Sequence, residues 1–341
     1  MHELPAQLAS QNFQYNIENV FDMNVGSMPT VEFSVTNPQD GSYYDILNDV
    51  EFTTCGGGAS RLQIGIAWNT ADYTNTNSGA DPAQPVAAGL NALACFGNPG
   101  ATPVAGSPGW FSVTAGIPLP ADAVGTAVTI DGHPAVDIDG TIERIPVRNV
   151  IEYFGIDGVS AVARREVVDI ANCDNCHKEL SLHGNNRTDE PQVCVTCHNP
   201  NATDQRQRGA GDCDATLGPD DVSVDFKYMV HAIHASGETG VPYQVCGYNN
   251  SVHEYDFHYP RHVNNCEGCH KSGTYFPVDP SEVLGTTVDT GADIVSPTDD
   301  VVVSPNASVC SACHTTDLAR QHMMQNGGDF NATKAADSTL I

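Results

Sequence analysis

The sequence predicts two dissimilar parts. Residues 1–168 read as a mainly β N-terminal domain, a Greek-key sandwich or a split barrel. Residues 169–341 read as a domain poor in secondary structure, with short helices. Three observations carry this division. Period-two apolar patterns separated by turn clusters run through the first part. Four Cys-x-x-Cys-His stretches all lie in the second. Apolar side chains are too sparse in the second part to bury an ordinary core. A length of 341 residues accommodates two domains.

In the β part, Leu4 to Met23 is the one stretch expected to be partly helical. Thr30-Val-Glu-Phe-Ser-Val-Thr36 alternates with period two and runs into the turn cluster Asn37 to Gly41. Arg61 to Trp68 alternates again. The Asn- and Thr-rich stretch Thr70 to Ser78 and the Pro- and Ala-rich stretch Ala80 to Ala88 read as exposed loops. Ala127 to Ile130 and Ala135 to Ile138 flank Asp131-Gly132-His133-Pro134, which reads as a hairpin turn with His133 at the surface. Asp137-Ile-Asp139-Gly140 suggests calcium, but the spacing completes no EF-hand loop and a second Asp-Gly turn accounts for it.

In the second part, the four stretches are Cys173-Asp-Asn-Cys176-His177, Cys194-Val-Thr-Cys197-His198, Cys266-Glu-Gly-Cys269-His270 and Cys310-Ser-Ala-Cys313-His314. This is the c-type haem attachment pattern. Two thiols three residues apart can each form a thioether to a haem vinyl group. The following histidine then presents an imidazole to the iron. Zinc knuckles do not require a histidine after every second cysteine. The second part is therefore expected to be a tetrahaem cytochrome c domain whose core is porphyrin, with four haem c groups and proximal ligands His177, His198, His270 and His314. Nine aromatics between Phe226 and Phe276 are expected to pack on haem, and folding of this half is expected to depend on haem attachment. Asp279 to Pro305 is acidic and rich in valine and threonine. It reads as a surface excursion or a small β-ribbon.

Cys55, Cys95, Cys213 and Cys246 remain. Haem c is attached in an oxidising compartment, so disulfides are allowed. Of three possible pairings, locality favours Cys55–Cys95 and Cys213–Cys246, each worth about 4 kcal/mol in the chain-entropy model. Free buried thiols are the alternative.

The ligand opposite each proximal histidine decides the chemistry, since a closed iron mainly passes electrons and an open one can bind small molecules. Distal ligands are expected at His183, in Leu180-Ser-Leu-His183-Gly184, and at His231 and His234, three apart on one predicted helix face. The fourth is His322, after the last motif, with His253 in reserve. His258 and His262 read as structural. Met229, Met323 and Met324 lie beside better candidates.

Forty-two acidic residues against 14 basic ones exclude a nucleic-acid binder and disfavour an anionic membrane surface. No apolar run is long enough to span a bilayer. The net charge of −28 fits solubility in salty medium and attraction to cationic partners or metal ions equally.

On these residues the chain resembles the OmcA/MtrC family of outer-surface multihaem c-type cytochromes. The stretches that carry the resemblance are Ala163-Arg-Arg-Glu-Val-Val-Asp169, Leu180 to Gly184, Cys197-His198-Asn199-Pro200, Asp225-Phe-Lys-Tyr-Met-Val-His231-Ala-Ile-His234, Tyr259-Pro260 before Asn265-Cys266, and His322 with Gly327-Gly328. They cover most of the haem half in order. Over the first 160 residues the resemblance is looser. It implies a β domain followed by closely spaced bis-histidine haems outside the cell, delivering electrons to minerals, soluble shuttles or partner cytochromes. Two departures stand out. The best-known members carry two such β-plus-haem units and are lipoproteins, whereas this chain has one unit and no cysteine near Met1. Met1 to Ala6 shows no basic and apolar leader, so the export signal is expected to lie outside this sequence.

The expected function is extracellular electron transfer. It would be performed by a soluble or surface-docked carrier, or by a homopolymer, a cytochrome filament (nanowire) in which His2 could ligate a neighbour's haem. The short unit and missing anchor lean toward the polymer. The alternative is a multihaem reductase of nitrite, hydroxylamine or a similar oxyanion. It needs an open haem with cationic or acid–base groups around it. Only four lysines are present, and the spare histidines suffice to close every iron.

Overall fold

The computed structural model describes residues 5–340 except 57, 81, 92–99, 209–211, 219, 277, 280–281 and 336–338. It falls into two compact units. The first comprises Met1–Thr70, Pro85–Ala163 and Ile170–Cys194, and the second comprises Ala71–Gln84, Arg164–Asp169 and Val195–Ile341. The units do not follow the chain division at 168/169. Residues 170–194, with the first haem motif, pack in the first unit. Residues 71–84 pack in the second.

In the first unit, helix α1 (Pro5–Ser10) precedes strands β1 (Gln14–Phe21) and β2 (Thr30–Thr36). After helix α2 (Val50–Thr53) come β3 (Arg61–Trp68), β4 (Val86–Asn91), β5 (Thr102–Pro103), β6 (Trp110–Thr114), β7 (Thr126–His133), β8 (Ala135–Ile138), β9 (Thr141–Arg144) and β10 (Val150–Phe154). Two four-stranded antiparallel sheets result, in the orders β1-β2-β6-β5 and β10-β7-β3-β4. Alternation in β2 buries Val31, Phe33 and Val35, and β3 contributes Leu62, Ile64, Ile66 and Trp68 to the same apolar cluster. One core built from both sheets is a sandwich, the first of the two predicted architectures. Non-consecutive neighbours, β2 beside β6 and β3 beside β7, are crossovers between strands distant in the chain.

The predicted turn at Asp131–Pro134 is corrected. β7 runs on through His133, opposite Arg61 of β3. Gly132 has φ +124, and a Cβ there would lie 2.1 Å from the Arg61 carbonyl oxygen. The glycine marks a close backbone approach, not a turn. The hairpin turn lies at Asp139-Gly140, where both φ values are positive and the Gly140 amide donates to Asp137 Oδ1 at 2.7 Å. His133 is accordingly buried, at 2% exposure. Its Nδ1 lies 3.3 Å from the Pro134 carbonyl.

Two further expectations are corrected. Thr70 to Ser78 is a loop but not an exposed one, with Thr70, Asp72, Tyr73, Thr74, Asn75, Thr76 and Ser78 all buried. Its polar groups bond protein rather than water: Asn75 Nδ2 donates to the Thr196 carbonyl at 2.9 Å, and Asn201 Nδ2 to the Thr74 carbonyl at 3.2 Å. In Ala80 to Ala88, Ala83 is buried and Val86 opens β4.

The first unit also contains helix α3 (Ile170–His177) and the short pair β11 (Ser181–Leu182) and β12 (Arg187–Thr188). Later helices are α4 (Pro191–Cys197), α5 (Asp212–Leu217), α6 (Phe226–Thr239), α7 (Pro305–Cys313) and α8 (Asp317–Gln325). Hairpin β13 (Tyr243–Gly247) and β14 (Ser251–Tyr255) follows α6. The Asp279–Pro305 stretch contains the β-ribbon alternative, β15 (Thr286–Asp289) paired with β16 (Val301–Val303). Two small apolar clusters among the described residues of the second unit are Ala232, Tyr243, Val245 and Ala312, and Val303, Ala307 and Phe330. Polar pairs supplement them. Asp204 takes both Arg208 Nε (2.7 Å) and Nη2 (2.9 Å) and also accepts from the Val222 and Cys246 amides. Cys213 and Cys246 form a disulfide. Cys55 is also disulfide-bonded, and Cys95, its expected partner, lies outside the described residues, as does His2.

Burial first, then the Arg144 and Arg61 charges, lower the His133 pKa from 6.5 to about 4, against a raising bond to Pro134. Above pH 6.5 folded and unfolded chains both hold it neutral. As pH falls from 6.5 to 4 only the unfolded chain binds the proton, so the fold loses stability, by at most about 3 kcal/mol. Denaturant titrations of wild type and His133→Phe should therefore diverge across that window. Parallel curves would refute the assignment.

Candidate haem centre

Cysteines three apart share a helix face, which brings both thiols to one edge. The first motif lies in α3, the second at the end of α4 and the fourth at the end of α7; the third occupies a single 3-10 turn, Cys266–Gly268. In the third and fourth, the histidine amide donates to the carbonyl of the first cysteine at 2.9 Å, His270 to Cys266 and His314 to Cys310. The imidazole thus stands one turn beyond the first thiol. All eight motif cysteines are free of disulfides. Among the described residues, no group of three His, Cys, Asp or Glu side chains is arranged to hold a bare metal ion.

An imidazole that ligates iron through Nε2 must have its Nδ1 proton placed elsewhere. His198, His270, His231 and His234 meet this condition. His198 Nδ1 donates to the Val224 carbonyl at 2.8 Å, and His270 Nδ1 to the Val167 carbonyl at 3.1 Å. His231 Nδ1 donates to the Lys227 carbonyl at 2.5 Å, and His234 Nδ1 to the Val230 carbonyl at 2.7 Å. Each bond selects the tautomer whose Nε2 carries the lone pair. Sequence reasoning missed these acceptors because they are backbone carbonyls, which leave no side-chain signature.

His231 and His270 face one another, with ring centroids 5.9 Å apart and planes 13° from parallel. Two metal–imidazole bonds of about 2 Å each, end to end with the ring radii, span roughly 6 Å. A pair at this separation would leave room for one haem iron between the two rings, which would hold it from His270 and His231. Burial first, then the neighbouring His231, lowers the His270 pKa, which keeps it neutral and able to ligate.

Helix α6 organises the second unit around these groups. At its start, the Phe226 amide donates to the His198 carbonyl at 3.0 Å. One turn on, His231 meets His270. On a neighbouring position Ala232 packs with Ala312 of the fourth motif. Burial first, then the Cys310 and Cys266 thiols, push the Cys313 thiol up. His234 stands edge-on to Tyr259 and Phe257, at 5.5 and 6.0 Å, and Tyr275 lies 5.5 Å from His270.

The remaining candidates are more open. His177 and His183 are exposed in the first unit. His322 is exposed on α8, its Nδ1 3.5 Å from the Asn326 amide nitrogen, and His314 is exposed at the end of α7. The reserve, His253, lies opposite Val245 on the β13–β14 hairpin, with Nε2 3.1 Å from the Ser251 hydroxyl. His258 pairs with Glu238 at 3.5 Å and is largely exposed.

Two buried charged groups brace the motif peptides. Lys334 has no exposure and donates to Asn201 Oδ1 (2.6 Å), Thr287 Oγ1 (2.5 Å) and the Pro200 carbonyl (3.4 Å). It ties down the segment after His198. Asp72 pairs with Arg164 and Arg165 at 3.2 Å, just upstream of the Val167 carbonyl that holds His270. Nothing in the composition distinguished these residues from a solvated surface. The donor set fits haem c: four thiol pairs with the right spacing, and imidazoles with Nε2 left for iron.

Burial lowers the Lys334 pKa from 10.5 to about 8, opposed by Asp300. Between pH 8 and 10.5 the unfolded chain binds the extra proton, so folded stability rises with pH across that window. Lys334→Met should abolish the rise in denaturant titrations. Its persistence would locate the effect elsewhere.

Comparison with known proteins follows the same lines. A model of outer membrane cytochrome MtrC/MtrF-like domains II/IV matches residues 165–340. No curated protein matches the chain. The crystal structure of MtrC from Shewanella baltica OS185 is similar in fold, with a TM-score of 0.61 at 16% identity. The match covers 98% of this chain and 50% of that one, so the chain spans half the length of the MtrC it resembles. With the domain II/IV model spanning more than half of the chain and all four motifs, this chain belongs to the MtrC/MtrF-like outer membrane cytochrome family.

Proposed function

We propose that this chain carries electrons outside the cell through four covalently attached, closely packed bis-histidine haems. The observation that carries this reading is the facing pair His231 and His270, each with Nδ1 committed to a backbone carbonyl. Bound haem c supplies a one-electron iron couple whose potential responds to axial ligands, hydrogen bonds and burial. The chain's own residues hold and close it. Eight cysteines, Cys173, Cys176, Cys194, Cys197, Cys266, Cys269, Cys310 and Cys313, anchor the vinyl edges. His177, His198, His270 and His314 bind from the proximal side. His231, His234, His183 and His322 close the opposite faces.

A histidine fixed on both sides needs little rearrangement when the iron changes charge, which suits repeated electron transfer. The grouping of three motifs about α6 supports short steps between neighbouring haems. The small size of the two described clusters, Ala232–Tyr243–Val245–Ala312 and Val303–Ala307–Phe330, supports a core completed by porphyrin. The acidic surface favours cationic or metal-bearing partners, and minerals, soluble shuttles and other cytochromes are the proposed acceptors. A reductase role would instead require an iron without a second histidine.

The purified protein should exceed its chain mass by four haems, and Cys266→Ala with Cys269→Ala should remove one. Its oxidised spectrum should be entirely low-spin bis-imidazole, and His231→Ala should convert one haem to high-spin. A high-spin signal in wild type would favour the reductase. Native sizing at high concentration separates the two forms of conduit, since a clean monomer excludes the homopolymeric filament.

A further inference from the structure

The hairpin that carries His183 is held by the sandwich as well as by its own pairing, which includes bonds both ways between Leu180 and Asp189. Strands β11 and β12 share two rungs, Ser181 with Thr188 and Leu182 with Arg187. Between them, His183, Gly184 and Asn185 all have positive φ, at 54°, 67° and 70°. Consecutive left-handed residues persist only where their surroundings over-determine them.

Those surroundings lie in the sandwich. Arg187 Nη1 donates to Asp131 Oδ1 at 2.5 Å, and the Asp131 side chain is 2% exposed. The Gly132 amide donates to the Asn186 carbonyl at 3.0 Å. Asn185 Nδ2 donates to the Arg144 carbonyl at 2.8 Å. Asn149 closes a two-way bridge to Thr188, donating its amide to the Thr188 carbonyl and accepting the Thr188 amide on Oδ1, both at 3.0 Å. Inside the tip, Asn186 Nδ2 donates to the His183 carbonyl at 2.6 Å. The charged and titratable groups facing Asp131 are Arg187, Arg61 and Tyr15. Arg187 is the only one of these carried by the hairpin. Removing it would leave a buried carboxylate short of its partner and free the strand that follows His183.

We infer that Arg187, through its buried ion pair with Asp131, is a positioning residue for His183, so that the β sandwich sets the axial geometry of the haem that His183 closes. This inference rests on the proposed role of His183 as a distal ligand. It assigns the sandwich a part in electron transfer beyond displaying the haems.

The test uses the holo-protein with all haems attached. Two readouts are taken: carbon monoxide uptake by the fully reduced protein and the low-spin signature of the oxidised one. His183→Ala should bind carbon monoxide at one more haem than wild type. Arg187→Gln and Asp131→Asn should alter the signature of that same haem and raise its carbon monoxide uptake, with the others unchanged. Arg187→Lys should restore closure at least in part. Phe33→Leu, in the sandwich core, should lower the unfolding temperature without moving either readout. Asn185→Asp keeps a residue that tolerates the left-handed backbone but cannot donate to Arg144. It should shift the same haem by less, and it carries the test if Arg187→Gln does not fold. Wild-type readouts in Arg187→Gln and Asp131→Asn, or in Asn185→Asp alone, overturn the positioning role. No added uptake in His183→Ala overturns the ligand role instead.

Discussion

An imidazole has two ring nitrogens and can give iron only one. The other must find an acceptor inside the protein, or the ring turns and the wrong tautomer competes. In this chain backbone carbonyls take that role. Val224, Val167, Lys227 and Val230 each accept an Nδ1 proton. The constraint reaches outward. The Lys227 and Val230 carbonyls point correctly because α6 is a regular helix, where a side chain reaches back to the carbonyl four residues before it. Val167 is in place because Arg164 and Arg165 are tied to buried Asp72. Val224 sits at the entry to α6, where Asp225 pairs with Lys227 and accepts from Thr286.

The same economy explains how a chain so poor in apolar residues holds these groups. In the second unit, the buried charged groups of Asp204, Arg208 and Lys334 are bonded to protein partners. The disulfide Cys213–Cys246 closes a 33-residue separation over the same region. In the first unit an ordinary apolar sandwich does the stabilising, and a polar edge of it, centred on Asp131, receives the hairpin with His183. The two units thus use different physics to hold histidines still.

Several features were legible because they depend only on local spacing. Thr30–Thr36 and Arg61–Trp68 became strands because period-two alternation has one solution beside an apolar face. Phe226–Thr239 became a helix with His231 and His234 on adjoining positions. Other features misled because their signals were ambiguous without neighbours. Asp131-Gly132 carries turn composition, yet Gly132 is there for a close pass beside Arg61, and Asp131 is buried because Arg187 arrives from 56 residues away. Thr70 to Ser78 has the composition of a wet loop, yet its Asn75 side-chain amide meets a carbonyl 121 residues distant and its Thr74 carbonyl an amide 127 residues distant. No local pattern encodes such a partner.

The amino-acid sequence by itself determined the attachment chemistry, because thioether formation needs only two cysteines three apart and a histidine next in line. It also determined that histidines enough for every iron were present. Which imidazole faces which was decided by the tertiary structure. His231 and His270 are 39 residues apart in the chain, and only the packing of α6 against the third motif sets their rings 5.9 Å apart. Which rings stand close, and at what angle, is a relation between side chains distant in the chain, and the fold alone specifies it.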